Sequence, residues 1–169
     1  MVIVRAEAAG DGGAVAAVNR AAFERPDETE LVDRLRREAA PQVSLVGEAD
    51  GEIVGHIFFS PVTIEQAPGD ALWMGLAPMA VQPQRQRRGI GGTLVRAGLG
   101  ACRALGAAGV VVLGHPRYYP RFGFAPAARF GLRCEYDVPD DTFMATELVP
   151  GALSRVAGLV RYGRAFADL

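Results

Sequence analysis

The sequence predicts a mixed α/β (α+β) protein built on one central sheet, and three stretches carry that reading. Asp50-Gly51 separates two apolar-rich runs, Val43 to Ala49 and Glu52 to Phe59. This dipeptide is the strongest short-range signal for a tight β-hairpin. Gly109 to Leu113 reads G-V-V-V-L, a continuous β-branched run of the kind buried on both faces of a sheet. Between them lies Pro78 to Gly92, P-M-A-V-Q-P-Q-R-Q-R-R-G-I-G-G. There a short apolar run, Met79 to Val81, passes through a basic, glycine-rich turn straight into an amphipathic helix.

The remaining elements come in chain order. Val2 to Val4 is β-branched and reads as a first strand. Asp11 is a good helix N-cap, and Val15, Val18, Ala22 and Phe23 then share one helical face. A second helix starts near Asp27, with Glu30 three residues on in the manner of a capping box. Its Leu31, Val32 and Leu35 face inward, Asp33, Arg34, Arg36 and Arg37 face outward, and Pro41 closes it. After the hairpin, Pro61 and then Ala67-Pro68-Gly69-Asp70 mark a loop, and a strand runs from about Ala71 to Val81. The helix from Ile90 to Leu105 sets Ile90, Leu94, Leu99 and Cys102 on one side, which makes Cys102 a core residue rather than a reactive one. Gly131 to Tyr136 and Thr142 to Leu148 read as later strands, and Leu159 to Tyr162 could be a short strand in an ambiguous tail. The order β-α-α-β-β-β-α-β-α-β-β describes a mixed sheet in one domain, residues 1–169.

Composition narrows the partners. The chain has 169 residues, half of them hydrophobic and 22% charged, with a formal net charge of −1. That is globular composition with no global attraction for nucleic acid. The concentrated positive charge is local, at Arg85, Arg87 and Arg88, and suits a small anionic ligand. Two cysteines far apart, Cys102 and Cys134, argue against a disulfide framework or a zinc site and for a reducing compartment. Met1 to Glu7 shows charges before any apolar run of signal-peptide length, and no stretch approaches a membrane span. The cytoplasm is the expected compartment, with no nucleic acid or membrane partner.

Strand, glycine-rich basic turn and helix together form a phosphate-binding arrangement. The first helical turn leaves backbone N–H groups without partners and carries partial positive charge. Glycines let a phosphate approach those groups, and arginines add full charge. The lysine-containing phosphate loop is absent. The dinucleotide fingerprint G-x-G-x-x-G fails because its third glycine falls on Leu94. What fits is Q-x-x-G-x-G, at Gln86, Gly89 and Gly91.

On these residues the chain resembles the GNAT superfamily of acetyl-coenzyme A dependent acyltransferases, whose pyrophosphate signature is Q/R-x-x-G-x-G/A after the fourth strand. A second segment, Leu113 to Phe124, L-G-H-P-R-Y-Y-P-R-F-G-F, is similar to the region after that superfamily's fifth strand. L-A-P-M-A-V before the loop, G-x-I-V-G-H-I-x-F-S at Gly51 to Ser60 and V-x-Y-x-x-A-F near the end resemble its YhbS-like bacterial branch, over nearly the whole chain. His115 departs from the acidic or amide residue of many relatives.

The resemblance implies a GNAT fold, a mixed central sheet with splayed fourth and fifth strands and helices on both faces. It also implies a helix after the fifth strand, ending near Gly123-Phe124. Acetyl-CoA would be the co-substrate, held by Met79, Ala80, Val81, Gln86, Arg87, Arg88, Gly89, Ile90, Gly91 and Gly92, without a metal. Tyr119, four residues before Gly123, would lie beside the coenzyme sulfur and protonate the departing thiolate, with Tyr118 as its neighbour one residue off. A backbone N–H within Met79 to Val81 would stabilise the oxyanion. The acceptor would be an amine on a small molecule or protein, met by Phe23, Glu30 and His56. Glu24, Glu28, Glu30, His56 and His115 are the candidate general bases, with a water chain as the alternative. The enzyme would be a monomer or homodimer. A catalytically silent acyl-CoA binding module of the same fold, or another anion-binding α/β protein, would keep the same glycine turn.

Overall fold

The computed structural model describes residues 1–23 and 27–167. Strands β1 (Ile3–Ala6), β2 (Val43–Ala49), β3 (Glu52–Gln66) and β4 (Leu72–Val81) pair in sequence, all antiparallel. β5 (Ala107–Leu113) then lies parallel to β4, joined to it through helix α3 (Ile90–Ala104). β8 (Phe143–Glu147) adds to β5, and the two-residue β6 (Ala125–Pro126) adds to β8. The path across the sheet is β1-β2-β3-β4-β5-β8-β6.

The hairpin forms as Asp50-Gly51 demands. Both residues take positive φ, 53° and 75°, between the paired ends Ala49 and Glu52, which is the backbone of a twist-compatible two-residue turn. β3, however, does not end at Phe59 or at Pro61. It runs to Gln66, and its far half leaves the sheet interior to pair with β9 (Ala157–Arg161). β9 in turn carries β7 (Leu132–Cys134) in parallel. The expected strand at Gly131 to Tyr136 is therefore only three residues long and belongs to this side ribbon. Pro61 is tolerated because it sits where β3 exchanges one set of partners for another.

Helices cover both faces. Gly55 and His56 are neighbours on β3 and so point to opposite sides. A Cβ on Gly55 would meet Leu94 and Ile90 of α3, whereas His56 meets Asn19 of α1 (Gly12–Phe23). The larger core lies under α3, where Leu94, Val95 and Cys102 are fully buried against Ile57, Phe59, Met74 and Val110. Gly98 is required there, since a Cβ would stand 2.2 Å from the Phe59 ring. On the other face α1 and α2 (Asp27–Glu38) bury Val15, Val18, Leu31, Val32 and Leu35, as their apolar spacing predicts. Asp11 precedes α1 as expected but does not cap it. Its carboxylate accepts from the Ala8 N–H at 2.6 Å and from Arg5 at 2.7 Å, and these bonds hold it down at about 2.

The expected helix after β5 is not formed. Tyr119–Phe122 make a single 3-10 turn. Pro116 and Pro120 flank and interrupt that stretch, and proline both lacks a donor and disfavours helix in the residue before it.

Candidate active site

β4 and β5 pair from Leu72↔Ala107 to Leu76↔Val112, and there the parallel ladder stops. β4 continues to Val81, held only on its β3 side. Its register with β3 slips in the same place. Ile57 faces Met79 and Phe59 faces Leu76, so Ala77 and Pro78 both oppose Phe58. Such a bulge bends the strand and re-aims its last residues, Met79 to Val81. Beyond it, Gln82 N–H donates to Val54 O at 2.9 Å. By the alternation of an antiparallel pair, Ala80 also turns its backbone toward β3, while Met79 and Val81 turn theirs toward the gap. The splay thus leaves two strand N–H groups aimed at open space.

Two cavities occupy this gap and share Phe23 and Met79 in their walls. The first, about 730 Å³, runs from β4 to the start of α3 and is walled by Met79, Ala80, Val81, Gln86, Arg87, Gly89, Ile90, Gly91 and Gly92. Every coenzyme residue expected from the sequence is there except Arg88, which is exposed and outside the lining. Arg85, Arg96 and Arg121 join Arg87 in it. Arg96 was not expected. It stands one turn along α3 from Gly92 and lies over the Phe122 ring at 5.1 Å, a helical spacing that could have been read. Arg121 stacks on Tyr118 at 4.7 Å.

The turn itself is built for close approach to backbone. Arg87 and Gly89 both have positive φ, 65° and 84°, so Gly89 enters α3 from a left-handed conformation that a Cβ would strain. Thr93 ties down the Gly89 carbonyl through its N–H and its hydroxyl, at 3.1 and 3.0 Å. The first turn of α3 carries no acidic side chain, so its unpaired N–H groups and dipole face the cavity uncompensated, a setting for a diphosphate. Gln86 braces the turn, donating from Nε2 to Val81 O at 3.1 Å. Its part in the motif is therefore to lock the loop shape.

The second cavity, about 440 Å³, is of opposite character. Leu31, Leu76, Pro78 and Leu113 form its apolar sides, with Tyr119, Tyr136, Val138, Tyr162 and Phe166 around them and Glu28 as its carboxylate. Tyr118 and Tyr119, adjacent in sequence, divide between the two cavities. Tyr118 lines the first, and its hydroxyl lies over Gly91, 2.7 Å from where a Cβ would be. Tyr119 lines the second and packs edge-on against Tyr118 and Phe124, with centroids 5.1 and 5.6 Å apart. Gly114 makes room for its ring, since a Cβ there would come within 2.2 Å. Burial, then the neighbouring Tyr118, pushes the Tyr119 phenol well above its ordinary value. It stays protonated at neutral pH and available as a donor.

Several sequence candidates lie elsewhere. His56, expected at the acceptor, is fully buried beneath α1 and lines neither cavity. Its Nε2 lies 2.9 Å from Ser44 Oγ and its Nδ1 lies 3.2 Å from Asn19 Nδ2. Ser44 in turn donates to Glu7 at 2.6 Å, and Glu7 is paired with Arg36. With the Ser44 proton committed to Glu7, His56 carries its proton on Nε2 and accepts at Nδ1. Desolvation drops it to about 4. It is a neutral strut between sheet and helix. Glu30 is exposed on α2 and lines neither cavity. His115 is exposed and accepts the Arg117 N–H at 3.2 Å within its own turn. Glu24 lies outside the described residues. Among the described carboxylate candidates, Glu28 is the one in a cavity wall. Tyr136, Val138, Tyr162 and Phe166 went unread because the tail's sequence shows no period that places them. Cys102 is fully buried and pushed up to about 12 by desolvation, so it is a core thiol. Among the described residues no group of three or more His, Cys, Asp and Glu is placed to hold a metal ion.

This sheet, its interrupted β4–β5 ladder and its glycine turn define an acetyltransferase architecture, and residues 4–127 match the family model for the acetyltransferase (GNAT) domain. The chain belongs to that family. It is 36% identical over 98% of both chains to the uncharacterized N-acetyltransferase YhbS of Escherichia coli strain K12. The crystal structure of Escherichia coli YhbS in complex with CoA superposes with a TM-score of 0.91, covering 98% of this chain and 92% of that one. A GNAT acetyltransferase from Brucella melitensis in complex with acetyl-CoA is 38% identical, with a TM-score of 0.78 and 98% of each chain covered.

Proposed function

We propose that residues 1–169 act as one cytoplasmic acetyltransferase domain that moves the acetyl group of acetyl-CoA directly to an amine. The observation that carries this is the meeting of two cavities of opposite character at Met79, just where the β4–β5 ladder ends. The arginine-lined cavity takes the diphosphate on the first turn of α3. The pantetheine arm then runs along β4, pairing with its open backbone as an added strand would. The thioester reaches the junction from one side and the amine from the other. That two relatives have been crystallised with CoA and acetyl-CoA supports the same use of the first cavity here.

The transfer needs three things of the protein. The ammonium must lose a proton, and Glu28, directly or through water, is the carboxylate placed to take it. The amine nitrogen then bonds to the thioester carbon, and the oxygen's new charge is met by the Met79 or Val81 N–H. On collapse the C–S bond breaks and the sulfur takes a proton from Tyr119; the nitrogen gives up its second proton, which returns through water to the Tyr119 oxygen, and the amide remains. Holding both reactants at one junction supplies much of the rate by orientation alone.

Calorimetric titration with coenzyme A, then a free-thiol release assay with acetyl-CoA and a panel of amines, tests the reading. Coenzyme binding with amine-dependent thiol release is expected. Tight binding with no release for any amine would leave a silent binding module instead.

A further inference from the structure

We infer that Asn19 is a positioning residue: its bond to His56 fixes α1 on the sheet and so holds Phe23 in the wall that the two cavities share. This rests on the reading above that the coenzyme's thioester arm comes to that junction. The first observation is what fastens α1. Its other buried residues are Val15 and Val18, and apolar contacts are non-directional, so they do not single out one register. Its first turn gives no purchase either. Asp11 bonds to Ala8 and Arg5 instead of capping it, and a Cβ on Gly12 or Gly13 would meet nothing within 4 Å. Asn19 supplies the directional contact. It is fully buried and donates from Nδ2 to Val15 O at 3.0 Å and to His56 Nδ1 at 3.2 Å. His56 is itself held by Ser44 at 2.9 Å, so α1, β3 and β2 are joined at one point.

The second observation is where that point leads. Phe23 follows Asn19 by four residues, one turn along the same face, and lines both cavities. Ala22 beside it lines the first. On the sheet His56 pairs with Ala80 and Ile57 with Met79, so the anchor lies opposite the strand residues that the coenzyme's arm would follow. A slip of α1 by one residue would move it about 1.5 Å along its axis and turn it about 100°, carrying Phe23 out of the wall. The third observation is a cost. Asn19 Oδ1 is buried and has no hydrogen-bond partner among the described residues, a penalty that leucine in the same space would avoid. A buried amide satisfied on one side only is a poor source of stability, and what its directional bond supplies is register.

Calorimetry on the whole chain compares coenzyme A with ADP, which carries the diphosphate without the thiol-bearing arm. Phe23→Ala should weaken coenzyme A about tenfold and leave ADP unchanged, since the lost ring meets only the arm. Asn19→Leu should weaken coenzyme A by about threefold to tenfold, again sparing ADP. Added to Phe23→Ala it should cost nothing more, because it acts through that ring. His56→Gln keeps an acceptor for Asn19 and a donor for Ser44 and should bind as wild type does, whereas His56→Leu should match Asn19→Leu. An unchanged coenzyme A affinity in Asn19→Leu, an equal loss of coenzyme A and ADP, or an additive loss on top of Phe23→Ala would overturn the inference. Asn19→Ala, which cannot overfill the site, is read in the same way if the leucine variant loses its far-UV circular dichroism. The NMR resonances of the Phe23 ring need no ligand, and they should move in Asn19→Leu and His56→Leu and stay in His56→Gln. If the wild-type chain bound no coenzyme A, the transfer reading would fall and these resonances would decide. Moved, they uphold the anchor; unmoved, they overturn it.

Discussion

The buried His56 makes the stability of this fold depend on acid in a calculable way. An unfolded chain takes up the imidazole proton near 6.5, and the folded one only near 4. Between those values the unfolded state holds more protons, so stability falls as pH is lowered through the window. The gap of about 2.5 between the two, at about 1.4 kcal/mol each, amounts to roughly 3 kcal/mol lost between pH 6.5 and 4. The cause is geometric. A proton added at Nδ1 would meet the Asn19 amide hydrogens, and the charge would sit at a fully buried position. Glu7, joined to His56 through Ser44, adds to this only at the foot of the window. Burial alone would raise it, but the bonds from Arg36 and Ser44 hold it below 4.5, so its own loss begins as the unfolded chain protonates it near 4.5 and is common to wild type and variant. The variant His56→Gln keeps a donor and an acceptor and has no proton to gain. Urea unfolding from pH 7 to 4 should show wild type losing about 3 kcal/mol more than the variant, whatever their difference at pH 7. The chain has two histidines, so NMR titration resolves each imidazole. A His56 midpoint near 6.5, or parallel stability curves for the two proteins, would refute the reasoning.

Three further outcomes are expected. Gly98→Ala forces a methyl into the Phe59 ring. Overpacking of about 1–3 kcal/mol should lower the melting temperature by about 2–10 °C, read by calorimetry. Gly91→Val drives a branched side chain into the Tyr118 hydroxyl and the mouth of the first cavity; coenzyme A affinity should fall at least about tenfold while far-UV circular dichroism shows the fold retained. Tyr119→Phe removes the phenol on the acceptor side and should cut turnover on the order of 10²-fold with coenzyme affinity kept. Tyr118→Phe should be milder, and the opposite ranking in steady-state assays would move the acid to Tyr118.

What could be read from the sequence was what local chemistry encodes. The Asp50-Gly51 hairpin, the α3 face and the glycine turn are each set within a dozen residues, and each took the form that its residues require. His56 was misplaced because a strand residue's face is decided by register with neighbours, and one step separates Gly55 under α3 from His56 under α1. The helix after β5 was expected by likeness, and two prolines in this particular chain replace it with one turn of 3-10. Of the aromatic wall of the second cavity, Phe23 and Tyr119 were expected, whereas Tyr136, Tyr162 and Phe166 escaped notice because they lie on irregular tail segments. Those segments gain their position through pairing with the far half of β3, which begins a hundred residues earlier in the chain.

That last connection divides labour within the molecule. β9 is fastened to β3 by backbone pairing, Thr63↔Arg161 and Ile64↔Val160, and main-chain bonds are indifferent to side-chain identity. Tyr136 and Val138, half-buried, therefore hang from a frame that does not depend on them for its attachment, whereas Phe166 and Tyr162 also pack with Leu31, Leu35 and Phe58. The glycine turn has no such latitude, since its own backbone is the binding surface. A library randomised at Tyr136 and Val138 should yield folded proteins with altered acceptor choice and an unaltered donor, making that stretch of the tail an exchangeable cassette on a fixed chassis.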